Sequence, residues 1–204
     1  MLDLLDYRRR VAAMYRAIRE LGTDAAEAHG HFRRVRDDLF RSHPESPLDD
    51  AQKATFRGLR YYDYDPAFRV VARVDTGVEP VTYPIDLGAD GLITLRLFGR
   101  VAFDLPTGSG SLGLFWVAGY GGGVFLPFRD ATSGRETYGG GRYLLDTIKG
   151  ADLGSTRDDE MVLDFNYAYN PSCHYNPRWV CPLALPESRL AFPVPVGEKQ
   201  WAEV

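Results

Sequence analysis

The side chains best suited to chemistry gather in two stretches of the chain. Glu136, Tyr138, Arg142 and Tyr143 surround a glycine trio, Gly139-Gly140-Gly141. Asp164, Asn166, Tyr169, Cys173, His174 and Tyr175 follow in a second stretch, with Cys181 shortly after. A carboxylate beside a substrate can take or give a proton, so Glu136 and Asp164 are candidate general acid/base groups. Cys173 is the candidate nucleophile, and it needs a base or a positive field to lower its thiol pKa. Arg142 offers a fork of donors to an anionic group. Tyr138, Tyr143, Asn166, Tyr169 and Tyr175 would wall and orient a small ligand.

Each group also has a plainer reading. The glycine trio resembles a phosphate-cradling loop, but neither Gly-x-Gly-x-x-Gly nor the lysine-bearing loop is present and no helix signal follows. Glycines in a strand equally let another segment pack close. Glu136, Tyr138 and Arg142 could form an internal hydrogen-bond network instead of a ligand site. His174 adjoins Cys173, yet neighbouring side chains of an extended segment point apart, so a base would come from His29, His31 or His43. Cys173, His174 and Cys181 match zinc spacing poorly, so no metal site is assigned. Two buried, inert cysteines in a proline-rich loop are the bland alternative.

Positioning these groups is the work of strands. Tyr7, Val11, Met14, Ile18 and Leu21 share one stripe of a first helix that stops near Gly22, and Arg8, Arg9 and Arg10 fill a solvated face. A second helix starts near Asp24, with Glu27 in the capping relation, carries Ala28, Phe32, Val35 and Leu39 inward, and ends before His43-Pro44. Ser46 looks like the cap of a short third helix ending near Gly58. From Tyr61 the period becomes two. Strands are expected over Phe68–Val74, Ile93–Asp104 with a bulge at Gly99, Leu112–Ala118, Val124–Phe128, Glu136–Leu145, Met161–Asn166 and Leu190–Val196. Glu136 and Tyr138 would then share a strand face, as would Asp164 and Asn166. The fold class is mainly β with N-terminal helices (α+β), as an antiparallel β-sandwich or small β-barrel. Residues 1–60 form the helical segment and 61–204 the β-rich core of one unit.

Composition narrows the partners. The chain has 204 residues and a formal net charge of −4, without the basic excess that nucleic-acid binding requires. Acids near Met1 and the lack of a continuous apolar run argue against a secretory signal or membrane span, so a cytoplasmic protein with reduced thiols is expected. A short Cys173–Cys181 bridge stays open, as do the cofactor and the formation of a homo-oligomer.

The run Glu136-Thr137-Tyr138-Gly139-Gly140-Gly141-Arg142-Tyr143 resembles a bacterial family catalogued only as a domain of unknown function. So do Leu163-Asp164-Phe165-Asn166-x-Ala168-Tyr169-Asn170-Pro171-x-Cys173-x-Tyr175, Cys181-Pro182-Leu183 and Glu187-x-Arg189-Leu190. The likeness covers roughly residues 30–200. It departs at Ser188, where asparagine is usual, and at His174, where a small residue is usual. It implies that the two chemical stretches belong to one pattern and transfers no activity. Two functions are therefore weighed: binding of a small, anionic molecule in a pocket between residues 128–143 and 163–181, or an enzyme using Glu136, Asp164 and Cys173. A structural or partner-binding role comes third.

Overall fold

The apolar stripe around Met14 and Ile18 builds helix α1 (Leu2–Glu20), whose Met14, Tyr15 and Ile18 are buried. Residues 1–21 and 24–201 are described by a computed structural model; Gly22, the expected helix stop, lies outside the described residues. In α2 (Ala25–Ser42) the Asp24 carboxylate accepts the Glu27 N–H at 3.0 Å, as the capping pattern predicts. Helix α3 (Asp50–Thr55) is capped by Asp49 and Gln52 in a reciprocal box and not by Ser46. The Ser46 hydroxyl instead donates to Phe40 O (2.7 Å) and accepts the Leu48 N–H (3.1 Å), turning the chain ahead of the helix.

The period-two segments form β1 (Arg69–Asp75), β2 (Thr82–Asp86), β3 (Leu92–Leu105), β4 (Gly108–Ala118), β5 (Gly123–Phe128), β6 (Arg142–Asp146) and β7 (Glu160–Asp164). They make one curled antiparallel sheet in the order β6-β5-β4-β3-β1-β7, with β2 also pairing β3. The β3–β4 register slips between Leu97 and Gly99, which is the bulge the glycine foretold. The curl brings the two sheet edges near each other. Tyr143 of β6 exchanges both backbone hydrogen bonds (2.8 and 3.0 Å) with Tyr169, which follows β7. The result is a half-barrel with N-terminal helices.

Helices and sheet share one apolar core. Tyr15 and Phe32 from the helices join Phe128, Leu144 and Leu163 from the sheet and Phe165 just after it. Each fully buried large apolar side chain of this kind contributes about 1.5–3 kcal/mol over its exposed state. Among the described residues no helix is long and apolar enough to cross a membrane.

Three expected strands differ in the structure. Residues 136–145 form a strand only from Arg142. The Thr132 carbonyl takes the N–H groups of Arg135, Glu136 and Thr137 (3.0–3.2 Å), so residues 130–141 are a wound loop. Gly134 (φ 83°) and Gly141 (φ 95°) sit in the left-handed region, and a Cβ on Gly141 would lie 2.6 Å from the Phe128 carbonyl oxygen. Glu136 and Tyr138 therefore do not share a strand face. The strand expected over 161–166 ends at Asp164, whose carboxylate accepts the Asn166 N–H and opens a short 3-10 turn, Phe165–Tyr167. Residues 190–196 are irregular, because Pro193 and Pro195 bring no donors to a ladder. Strand β2 was not foreseen: it is short, and it carries Pro84 in its centre.

Candidate functional site

Most of the candidate side chains serve as ties inside the protein. Arg142 is only 1% exposed. Its Nη2 donates to Asp130 Oδ2 (2.8 Å) and Val194 O (2.9 Å), and its Nη1 donates to Val196 O and Glu198 O. The guanidinium stacks 5.0 Å from the Phe128 ring centre. Asp130 Oδ1 takes the Thr132 N–H (2.7 Å), the Thr132 hydroxyl (2.6 Å) and the Val194 N–H (3.3 Å). The cation expected to hold an anionic ligand is thus occupied in binding loop 130–142 to the C-terminal segment.

The other candidates divide between core and surface. Asp164 is buried and accepts the Tyr64 hydroxyl (3.1 Å) and the Asn166 amide (2.8 Å), and burial pushes its carboxyl up. Asn166 clasps the Asp65 backbone from both sides, accepting its N–H (2.9 Å) and donating to its carbonyl (2.8 Å). The Tyr143 hydroxyl donates to Pro182 O at 2.5 Å. The Tyr175 hydroxyl donates to Glu198, which also accepts Arg36 Nη2 (2.8 Å) and the Asn170 N–H (3.0 Å). Tyr169 lies under the Arg36 guanidinium, 5.0 Å from its ring centre. Glu136 is exposed and accepts the Tyr62 hydroxyl at 2.9 Å. The two candidate carboxylates therefore have separate partners, one at the surface and one in the core.

What the fold does bring together is a thiol cluster. Both cysteines are free and half-buried. Asn170-Pro171 and Asn176-Pro177 fold the chain back on itself, and the Cys173 N–H donates to Cys181 Sγ at 3.4 Å. The Tyr138 hydroxyl lies 3.7 Å from Cys173 Sγ. The loop is pinned from behind: Trp179 Nε1 donates to Pro47 O (3.0 Å), Arg178 to Ser46 O (3.0 Å) and Gln52 to Tyr175 O (2.8 Å).

The electrostatics of the pair are unequal. Donation from the Cys173 thiol draws Cys181 down to about 6, with help from the Cys173 N–H and the Lys149 charge and against the opposing effect of burial. The same hydrogen bond, together with burial and the Cys181 charge, pushes Cys173 up. The Cys173 N–H on its sulfur makes Cys181, rather than Cys173, the one the fold favours as thiolate. Sequence reading missed this because adjacency in the loop is made by its turns; the paired Asn-Pro steps are the signal for it.

Among the described residues no histidine is hydrogen-bonded to either cysteine. His174 Nε2 accepts the Trp201 N–H (2.9 Å), and its ring packs on Tyr138 and Tyr175. His29 sits among Phe32, Tyr61, Tyr64 and Tyr167, and His43 faces Asp6 and the Glu45 N–H. Burial brings both His29 and His174 down to about 4, with the Arg33 charge acting on His29 as well. A histidine held neutral in the fold but protonated near 6.5 when unfolded stabilises the protein above pH 6.5, and that stability is lost as pH falls toward 4. We expect the two to account for a loss of about 1–3 kcal/mol between pH 7 and 4.5, discounted because His174 is only half-buried. Asp164 and Glu198, raised by burial, take up protons at the acid end and offset part of it. Urea midpoints of the His29→Gln variant that fall as steeply as those of the parent would remove His29 from this account.

Among the described residues no group of three or more His, Cys, Asp and Glu gathers as a metal cage. A hollow of about 620 Å³ lies apart from the thiols, with Phe98, Val124 and Met161 among its apolar walls. Asp152, Asp158, Asp159, Glu160 and Arg73 also line it, and none of the candidate residues does. Its acidic lining is the wrong sign for the anionic ligand expected from Arg142.

The comparisons with known proteins agree with this architecture. A family profile described as a protein of unknown function (DUF1684) matches residues 54–199, a span that holds both chemical stretches and both cysteines. An uncharacterized protein from Haloarcula marismortui, known from a solution NMR structure, is 32% identical to this chain. The alignment covers 88% of this chain and 96% of that one, with a TM-score of 0.61. No curated protein matches. With the family match covering most of its length, the chain belongs to the DUF1684 family of proteins of unknown function.

Proposed function

We propose that the protein acts through thiol chemistry on a small electrophilic molecule, with Cys181 as the attacking sulfur and Cys173 as its hydrogen-bonding partner. The carrying observation is the Cys173 N–H aimed at Cys181 Sγ across the reversed loop. A sulfur that accepts such donors is stabilised as thiolate, the form that attacks. Tyr138 stands beside Cys173 and the Tyr143 hydroxyl reaches Pro182, next to Cys181, two aromatic groups of the kind a small-molecule site uses. Arg142 acts from behind, holding the loop that carries Tyr138 to the C-terminal segment.

Alkylation of the native protein by iodoacetamide across pH, read site by site by peptide mass, tests this reading. Cys181 should label with a midpoint near 6. At pH 6.5 its rate should exceed that of an unstructured cysteine about five-fold, because the gain in thiolate outweighs its lower intrinsic nucleophilicity. Replacing Cys173 with alanine should move the midpoint upward. Equal labelling of the two cysteines at the unstructured rate would end the proposal.

A further inference from the structure

Taking Cys181 as the nucleophile, we infer that Cys173 and Cys181 form a reversible dithiol–disulfide couple whose reaction partner is a low-molecular-weight disulfide. Two half-buried thiols held together by the backbone bond from Cys173 N–H to Cys181 Sγ are placed for exchange, where a lone nucleophile would need no neighbour. The surrounding groups fit a small reactant: Tyr138 stands beside Cys173, the Tyr143 hydroxyl is turned to Pro182, and the His174 ring packs against Tyr138.

The steps balance without another reagent. The Cys181 thiolate attacks one sulfur of the small disulfide; that S–S bond breaks, a mixed disulfide forms at Cys181, and the first small thiolate leaves. Cys173 then gives up its proton to the departing thiolate and attacks the Cys181 sulfur. A Cys173–Cys181 bond forms and the second small molecule departs as a thiolate, which takes a proton from water. Two electrons pass from the protein sulfurs to the small disulfide, which leaves as one thiol and one thiolate, the latter protonated by solvent.

The Cys173 N–H on Cys181 Sγ favours this order. While Cys181 carries charge, Cys173 donates to it and is held up as a thiol. Once Cys181 is capped, that charge is gone and Cys173 is released to ionise. The Tyr138 hydroxyl, itself pushed up to about 12 by burial and by its bond to Cys173, remains a donor that steadies the emerging Cys173 thiolate. His174 is not needed as a base, since its Nε2 is already engaged by the Trp201 N–H.

Glutathione disulfide is the probe. The full-length reduced protein is incubated with it, quenched in acid and analysed by intact mass and peptide mapping. The wild type should pass through a glutathione adduct to a Cys173–Cys181 disulfide that added reduced glutathione reverses. Cys173→Ser should stop at a stable adduct on Cys181, and Cys181→Ser should react at least ten-fold more slowly. The wild-type product needs no variant, so a misfolded variant leaves the test intact. A wild-type protein that halts as a Cys181 adduct overturns the couple and leaves the nucleophile standing. If neither cysteine reacts faster than an unstructured thiol, both readings fall together.

Discussion

Arg142→Ala is expected to destabilise the protein by about 3–5 kcal/mol, because it strands the Asp130 carboxylate in the core. That carboxylate and the guanidinium are each about 1% exposed as side chains and meet at 2.8 Å. The guanidinium also gathers the carbonyls of Val194, Val196 and Glu198, none of which has water to replace it readily. Adding Asp130→Asn should recover at least about 1 kcal/mol, since the stranded charge is what costs most. Urea unfolding of the three proteins measures this directly. A loss below about 1 kcal/mol would mean that loop 130–142 and the C-terminal segment hold together without their tie. The experiment also separates a tie from a ligand contact, because a surface arginine kept for binding could be removed with little change in stability.

Glu198→Ala should cost as much, and should reach the thiols as well. The carboxylate is fully buried and receives Arg36, Tyr175 and the Asn170 N–H. Arg36 comes from α2, donates to the Tyr61 hydroxyl (2.9 Å) and lies against the rings of Phe32, Phe40 and Tyr169. Removing the acceptor leaves a guanidinium uncompensated in the core, a defect of about 3–5 kcal/mol. Tyr175 lies two residues after Cys173, as the C-cap of the short 3-10 segment Ser172–His174, so its release loosens the backbone that aims the Cys173 N–H at Cys181. The alkylation midpoint of Cys181 should rise in this variant under conditions where circular dichroism shows it still folded. An unchanged midpoint would show that the loop is held by its contacts to Pro47, Ser46 and Gln52 alone. Glu198→Gln keeps one acceptor and should fall between the two.

These two networks also explain how far the chain could be read in advance. The helices were legible because their information is local: a 3.6-residue stripe and a cap three residues from its donor, as with Asp24 and Glu27. The long strand β3 and its bulge at Gly99 were legible for the same reason, through alternation and one glycine. The family resemblance was legible too, and the matched span holds both chemical stretches. Periodicity misread the stretch around Glu136 and Tyr138, because backbone at Gly134 and Gly141 enters the left-handed region and winds a loop where alternation suggested a strand.

Amino-acid order by itself determined the helices, most of the strands and which groups are chemically capable. Tertiary structure alone decided what those groups do. Arg142 became a core tie because Asp130, Val194 and Val196 converge on it from separate segments. Cys181 became the favoured thiolate because the reversed loop turns the Cys173 N–H onto its sulfur. Propensities and periods arise from neighbours along the chain. Protonation state and hydrogen-bond partnership depend on whatever lies within a few ångströms in space, and only the folded chain sets that.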